Sequence, residues 1–174
     1  MTVKHQQSTP ITNAQAVPVT PNATGNGAGG KLIEVGSYVT VVAASAADST
    51  LRICRVPTNA KVKRIWLSAA AQGAGAFDIG VYYPVDGPTG KADLAANAIS
   101  QAFFASAVDC SSAVEKNVTN ESGSYTTDLQ ILPLWKALAL ASDPGGVFDI
   151  VATVKTTDVT TGAAVLGLSV RYVE

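Results

Sequence analysis

GAFDIGVYY, Gly75 to Tyr83, is the stretch on which the fold class turns. Phe77, Ile79, Val81 and Tyr83 alternate with Asp78, Gly80 and Tyr82. A period of two puts successive side chains on opposite faces, so the stretch reads as a half-buried β-strand. VFDIVATVK, Val147 to Lys155, repeats the pattern with Phe148, Ile150, Ala152 and Val154 aligned. The FDI that both share has no matching flanks, so it marks two equivalent strands of one sandwich rather than a duplicated domain.

Reading outward, Ala164 to Val173 also alternates, and DVTTGA before it predicts a hairpin turn around Gly162. KLIEVGSYVTVVAA, LRICRV and KVKRIWLSA supply three more strands, with ADS and PTNA as turns between them. Helical signal is scarce. ADLAANAISQAFF, Ala92 to Phe104, is rich in alanine and predicts a short helix inside the connection from Pro84 to Asp109. LPLWKALAL has Pro133 at a helix start, and DPGG stops it. Short strands separated by turns indicate an all-β sandwich, jelly roll or barrel.

At 174 residues the chain suits one domain. Hydrophobic residues make up 47% but aromatics only 6%, so Ala, Val, Ile and Leu must build most of the core. Charged residues are 14%, against roughly 25% in an average soluble domain. So few charges favour association, which points to a subunit of something larger. The net charge of −1 gives no footprint for nucleic acid. Lys61, Lys63 and Arg64, the densest basic group, alternate along one strand and read as a solvated strand edge. No signal peptide is visible, and the run Tyr38 to Ala47 is too short to span a bilayer, so no membrane partner is expected. Cys54 and Cys110 then read as free thiols, a disulfide between them being the alternative.

Residues 1–30 differ from the rest. Lys4 is their only charged side chain, Pro10, Pro18 and Pro21 oppose helix, and Val3, Ile11, Val17 and Val19 are isolated apolar positions. Such a segment cannot bury enough surface to order itself, so it is expected to be an extended arm. Its four apolar residues are the candidate contacts with a partner. GNGAGGKL, Gly25 to Leu32, contains G-x-G-x-x-G and, but for Leu32 in place of Ser or Thr, a phosphate loop. A phosphate loop needs a strand before it and a helix starting at its lysine. Here a proline-rich arm precedes and a β-branched strand follows, so Gly25, Gly27, Gly29 and Gly30 read as a hinge between arm and a body at 31–174.

No reaction emerges. The only histidine, His5, lies in the arm, which removes His-based triads and metal clusters. The cysteines lack CxxC spacing. Carboxylates stand singly, and Asp86, Asp143 and Asp158 occupy turn contexts where Asp bonds its own backbone. Two carboxylates from distant strands could still pair as in a glycosidase. Trp66 and Trp135 are expected in the core. No enzyme, cofactor or metal is expected.

FDIGVYY, FFASAVDCSSA (Phe103 to Ala113), LPLWKALAL (Leu132 to Leu140) and DPGGVFDIVATV (Asp143 to Val154) together resemble a group of small tailed-bacteriophage virion proteins. That group includes jelly-roll capsid decoration, or cement, proteins. The resemblance covers residues 31–174 and implies a jelly-roll-like antiparallel sandwich with one or two short helices. It also implies a place on the head exterior, the major capsid protein as partner and a homo-oligomer, dimer or trimer. The rival readings are another virion part, such as a head fibre, tail or head–tail joining protein, and a β-sandwich carbohydrate-binding domain.

Overall fold

The computed structural model describes residues 30–41, 45, 47–73, 75–84, 98–155 and 164–174. Val3, Ile11, Val17, Val19, Gly25, Gly27 and Gly29 lie outside these residues, as do Asp86, Asp158 and the turn predicted around Gly162. Eight strands are formed: β1 Leu32–Val41, β2 Thr50–Pro57, β3 Lys61–Ala69, β4 Ala76–Tyr82, β5 Ala98–Asp109, β6 Val114–Asn117, β7 Val147–Val154 and β8 Ala164–Val173. They make two four-stranded antiparallel sheets, β1-β8-β3-β6 and β2-β7-β4-β5. Every link but β4 to β5 passes from one sheet to the other, which is the winding of a jelly roll.

Alternation explains the core. Val62, Ile65, Leu67, Leu166, Leu168 and Val170 of the first sheet face Phe77, Ile79, Val81, Phe148, Ile150 and Val154 of the second, all at most 2% exposed. At Lys31 no helix begins; Gly30 takes φ +120°, which only glycine adopts freely, and the chain enters β1 one residue later. The helix at Leu134–Ala137, α1, follows Pro133 as expected and pins the β2–β3 turn, its Leu134 and Trp135 amides donating to the carbonyls of Ala60 and Thr58. Gly145 and Gly146, both at positive φ, end that region, and the Gly145 amide donates to the Asp143 carboxylate at 2.9 Å, the turn role read for Asp143. Trp135 is partly buried against the core.

Three expectations are corrected. Residues 98–104 are not helix but the first half of β5. The two final strands are not a hairpin, because β7 and β8 lie in different sheets. The FDI strands are equivalent, adjacent partners in one sheet, yet neither is half-buried: Asp78, Tyr82, Asp149, Val151 and Thr153 on their second face are at most 3% exposed.

The cover over β4 comes from β5. Twelve residues of β5 run opposite seven of β4, and the register slips at Phe77/Ile79, Ile79/Val81 and Val81/Tyr82. The surplus chain folds across the outer side of β4. Asp78 holds it there: Oδ1 accepts from the Ala107 amide at 2.8 Å and Ser106 Oγ at 3.3 Å, and Oδ2 from Gln101 Nε2 at 3.2 Å and Lys155 Nζ at 3.1 Å. Ala107 sits at φ +50°, a left-handed conformation that costs a residue with a Cβ about 1 kcal/mol or more.

Both cysteines are free and buried, as read. Burial pushes each thiol from 9.0 up to about 11. The unfolded chain therefore ionises its thiols near pH 9 while the folded chain keeps them protonated, so their contribution to stability is intact below pH 9 and lost between pH 9 and 11. We expect the urea midpoint to fall across that interval, and Cys54→Ala with Cys110→Ala to remove part of the fall. Native protein should be inert to a thiol reagent at neutral pH, and denatured, unreduced protein should take up two equivalents. Uptake of none would mean a disulfide.

Candidate functional site

Among the described residues, the outer face of the first sheet carries the exposed functional chemistry, and a single bulge creates it. Between Val62 and Arg64 the β3–β8 register shifts. Val62 points inward, and so does Ile65 three positions later, with Leu67 and Ala69 following. The extra residue turns Arg64, Trp66 and Ser68 outward. Trp66 is thus not in the core, as its sequence reading expects, but partly exposed on the surface. Lys63 at the bulge donates to the Gln130 carbonyl at 2.7 Å, and desolvation, with Lys61 nearby, lowers its pKa.

Register assembles the rest. Gly36 of β1, Ser169 of β8, Trp66 of β3 and Asn117 of β6 form one row; Tyr38, Gly167, Ser68 and Glu115 form the next. Tyr38 is 70% exposed, the most exposed of the large hydrophobics on the described surface. Gly36 and Gly167 have no side chain between the two rings, and Ser68 and Ser169 have short ones. The result is a cleft of about 280 Å³ floored by small residues and walled by Tyr38 and Trp66. A second cleft of about 170 Å³ adjoins it, sharing Trp66 and Ser169 and adding Glu34 and Arg64.

The rim is charged. Glu34 accepts from the Ser169 hydroxyl and, at 2.6 Å, from Arg171 Nε. These two hydrogen bonds, Ser169 first, hold its carboxyl below the ordinary 4.5. Arg64 pairs across the sheet with Arg171 and lies 5.3 Å from the Trp66 ring centre. Among the described residues Arg64 forms no ion pair. The three charges sum to +1.

The remaining candidates from the sequence serve the fold. Asp78 and Asp149 share the outer side of the second sheet, but each is bound to cations: Asp78 to Lys155, Asp149 to Arg52 at 2.7 Å and Arg55 at 2.6 Å. Among the described residues no three His, Cys, Asp or Glu side chains gather as a metal site, and no helix is long and apolar enough to cross a membrane. Of the two tryptophans expected in the core, Trp135 packs against it and Trp66 does not. The three-residue step from Val62 to Ile65 was the available signal for the bulge.

No protein-family model and no curated protein matches this sequence. Two solved structures match its fold. A chain in the structure titled "Capsid of Ralstonia phage GP4" superposes with a TM-score of 0.60 at 17% identity, covering 83% of this chain and 85% of that one. A chain in "Cyanophage Pam1 capsid asymmetric unit" gives a TM-score of 0.54 at 14% identity, covering 91% and 96%. At these identities the likeness is one of fold.

Proposed function

We propose that this chain is a structural component of a bacteriophage virion, a decoration protein that binds the outside of the head and stabilises the major capsid protein lattice. The observation that carries this reading is the shared fold with chains from two phage capsids over most of each chain. The low charge of the sequence agrees, since a subunit of an assembly has less need of a charged surface. A protein in this position acts by multivalent contact against the outward pressure of packaged DNA, and needs no chemistry.

Residues 1–30 form the arm in this proposal and 31–174 the body, with Gly25, Gly27, Gly29 and Gly30 as the joint. Thirty extended residues reach up to roughly 100 Å at about 3.3 Å each, enough to cross a neighbouring subunit. Val3, Ile11, Val17 and Val19 contact the capsid, the spaced β-branched residues suiting addition to an exposed strand edge. Once the body has docked, each arm contact is intramolecular, so weak contacts accumulate into avidity.

Deleting residues 1–24 tests this. The melting temperature of the isolated body should be almost unchanged, while binding to purified heads weakens at least tenfold, about 1.4 kcal/mol. Heads carrying the deletion should lose DNA at a lower temperature than heads carrying the intact chain. Equal binding and protection by the two forms would end the clamp reading; an unfolded truncation would move the domain boundary.

A further inference from the structure

We propose that the cleft between Tyr38 and Trp66 binds an acidic saccharide, its ring against the two aromatic side chains and its carboxylate on Arg64. The site is a property of the sandwich itself and stands independently of where the chain sits on a particle.

Two features point to a sugar rather than a protein strand. First, the cleft lies on the face of the sheet, where β8 is hydrogen-bonded on both sides to β1 and β3. The β8 backbone in its floor therefore has no free donors or acceptors; the open edge of the sheet is the far side of β1, and a strand added there would lie beside the cleft rather than in it. Recognition must come from side chains. Second, the walls are amphipathic rings and the rim is polar. Ser68 and Ser169 hydroxyls and the Glu34 carboxylate lie beside the aromatics, the mixture of flat apolar surface with a few convergent polar groups that fixes a small ligand. The Ser68 and Ser169 hydroxyls donate to Glu115 and Glu34 and keep acceptor lone pairs for sugar hydroxyls.

The charge selects the acid. Glu34 is already satisfied by Arg171 and Ser169, so it does not need a ligand. Arg64 shares its cleft with Glu34 but makes no direct ion pair with it or with any other described carboxylate, and it is held over the Trp66 indole. A guanidinium stacked on a ring keeps its N–H edge free for bidentate contact with a carboxylate. Nucleic acid fits poorly, because affinity for a phosphate backbone grows with the number of cations that meet it. Here one unpaired guanidinium stands on a chain of net charge −1.

The chain has two tryptophans, so Trp135→Phe leaves Trp66 as the only indole reporter. In that background we expect tetragalacturonate, a tetrasaccharide with a carboxylate on every ring, to change the fluorescence saturably, and the uncharged maltotetraose to bind at least tenfold more weakly. Tyr38→Ala, at a surface position that leaves the fold intact by thermal melting, should weaken tetragalacturonate at least tenfold. Arg64→Gln should bring the acidic and neutral sugars to similar affinities, and added salt should weaken only the acidic one. Calorimetry on the unaltered chain should rank the sugars identically. Absence of saturable binding, equal binding of maltotetraose by the unaltered chain, or undiminished binding by Tyr38→Ala each overturns the proposal. If Tyr38→Ala binds sugar normally but loses attachment to heads, the face is a protein contact and the proposal is likewise wrong.

Discussion

Gly80→Ala is expected to destabilise the protein by at least about 3 kcal/mol, the upper end for an overpacked core position. A Cβ built on Gly80 would lie 2.2 Å from both the Ser100 and the Gln101 carbonyl oxygens. Both atoms are backbone, so no side-chain rotation relieves the collision. These carbonyls belong to the part of β5 that folds over β4, and the same crossing carries the Gln101–Asp78 and Ala107–Asp78 hydrogen bonds. Moving β5 outward by the amount a methyl needs would break both. Gly36→Ala is the control: its nearest neighbours stand 3.7 to 3.9 Å away, in ordinary contact, on an exposed strand. Urea denaturation should leave Gly36→Ala within about 0.5 kcal/mol of the parent, while Gly80→Ala is largely insoluble or unfolds at far lower urea. Equal midpoints for the two variants would mean that β5 does not cross there.

That crossing also marks where the sequence ceases to be readable. Strands β1, β2, β3, β4, β7 and β8 were legible because their apolar residues alternate and turn residues bound them. β5 was not. Ile99, Phe103 and Phe104 do not alternate cleanly, and the surplus residues that let β5 bend over β4 spread its core contacts irregularly. Alanine-rich composition then suggested helix. The same overlay hid the burial of Asp78 and Tyr82, since a period of two shows that a strand has two faces but not that another strand covers the second. Pairing failed between β7 and β8 for a different reason: local turn chemistry looks alike whether the chain returns to the same sheet or crosses to the other. The cleft depended on parity. Counting outward from Val62 in steps of two places Arg64, Trp66 and Ser68 in the core; one inserted residue at Lys63 reverses that and leaves an indole on the surface. Tyr38 lies on a strand whose inward positions, Ile33, Val35 and Val39, are only partly buried, so its exposure had little contrast in sequence.

The second large effect is expected at Asp149, the acid of the other FDI. Its side chain is 4% exposed and meets Arg52 Nη1 at 2.7 Å and Arg55 Nε at 2.6 Å. Arg52 is the costly partner. It is 20% exposed, donates to the Tyr83 carbonyl at 2.9 Å and lies 5.7 Å from the Tyr82 ring centre, but its Nε and Nη2 are buried without hydrogen-bond partners. Among the described residues Asp149 supplies its only ion pair. Removing the carboxylate therefore strands a largely buried guanidinium, and breaking a buried pair in this way costs about 3–5 kcal/mol. Asp149→Ala should lower the melting temperature by roughly 6–20 °C, given about 2–4 °C per kcal/mol for a chain of this size. Arg55 decides little, since its side chain is 47% exposed and water can replace the lost contact. Arg55→Ala should consequently cost about 1 kcal/mol or less. The discriminating variant is Arg52→Met combined with Asp149→Leu, which removes both charges and keeps the volume filled. Because an apolar pair escapes the desolvation that the ion pair bears, the double variant should recover most of the stability that Asp149→Ala loses. If the double variant is as unstable as Asp149→Ala, the cost comes from lost packing around β7 rather than from a stranded charge.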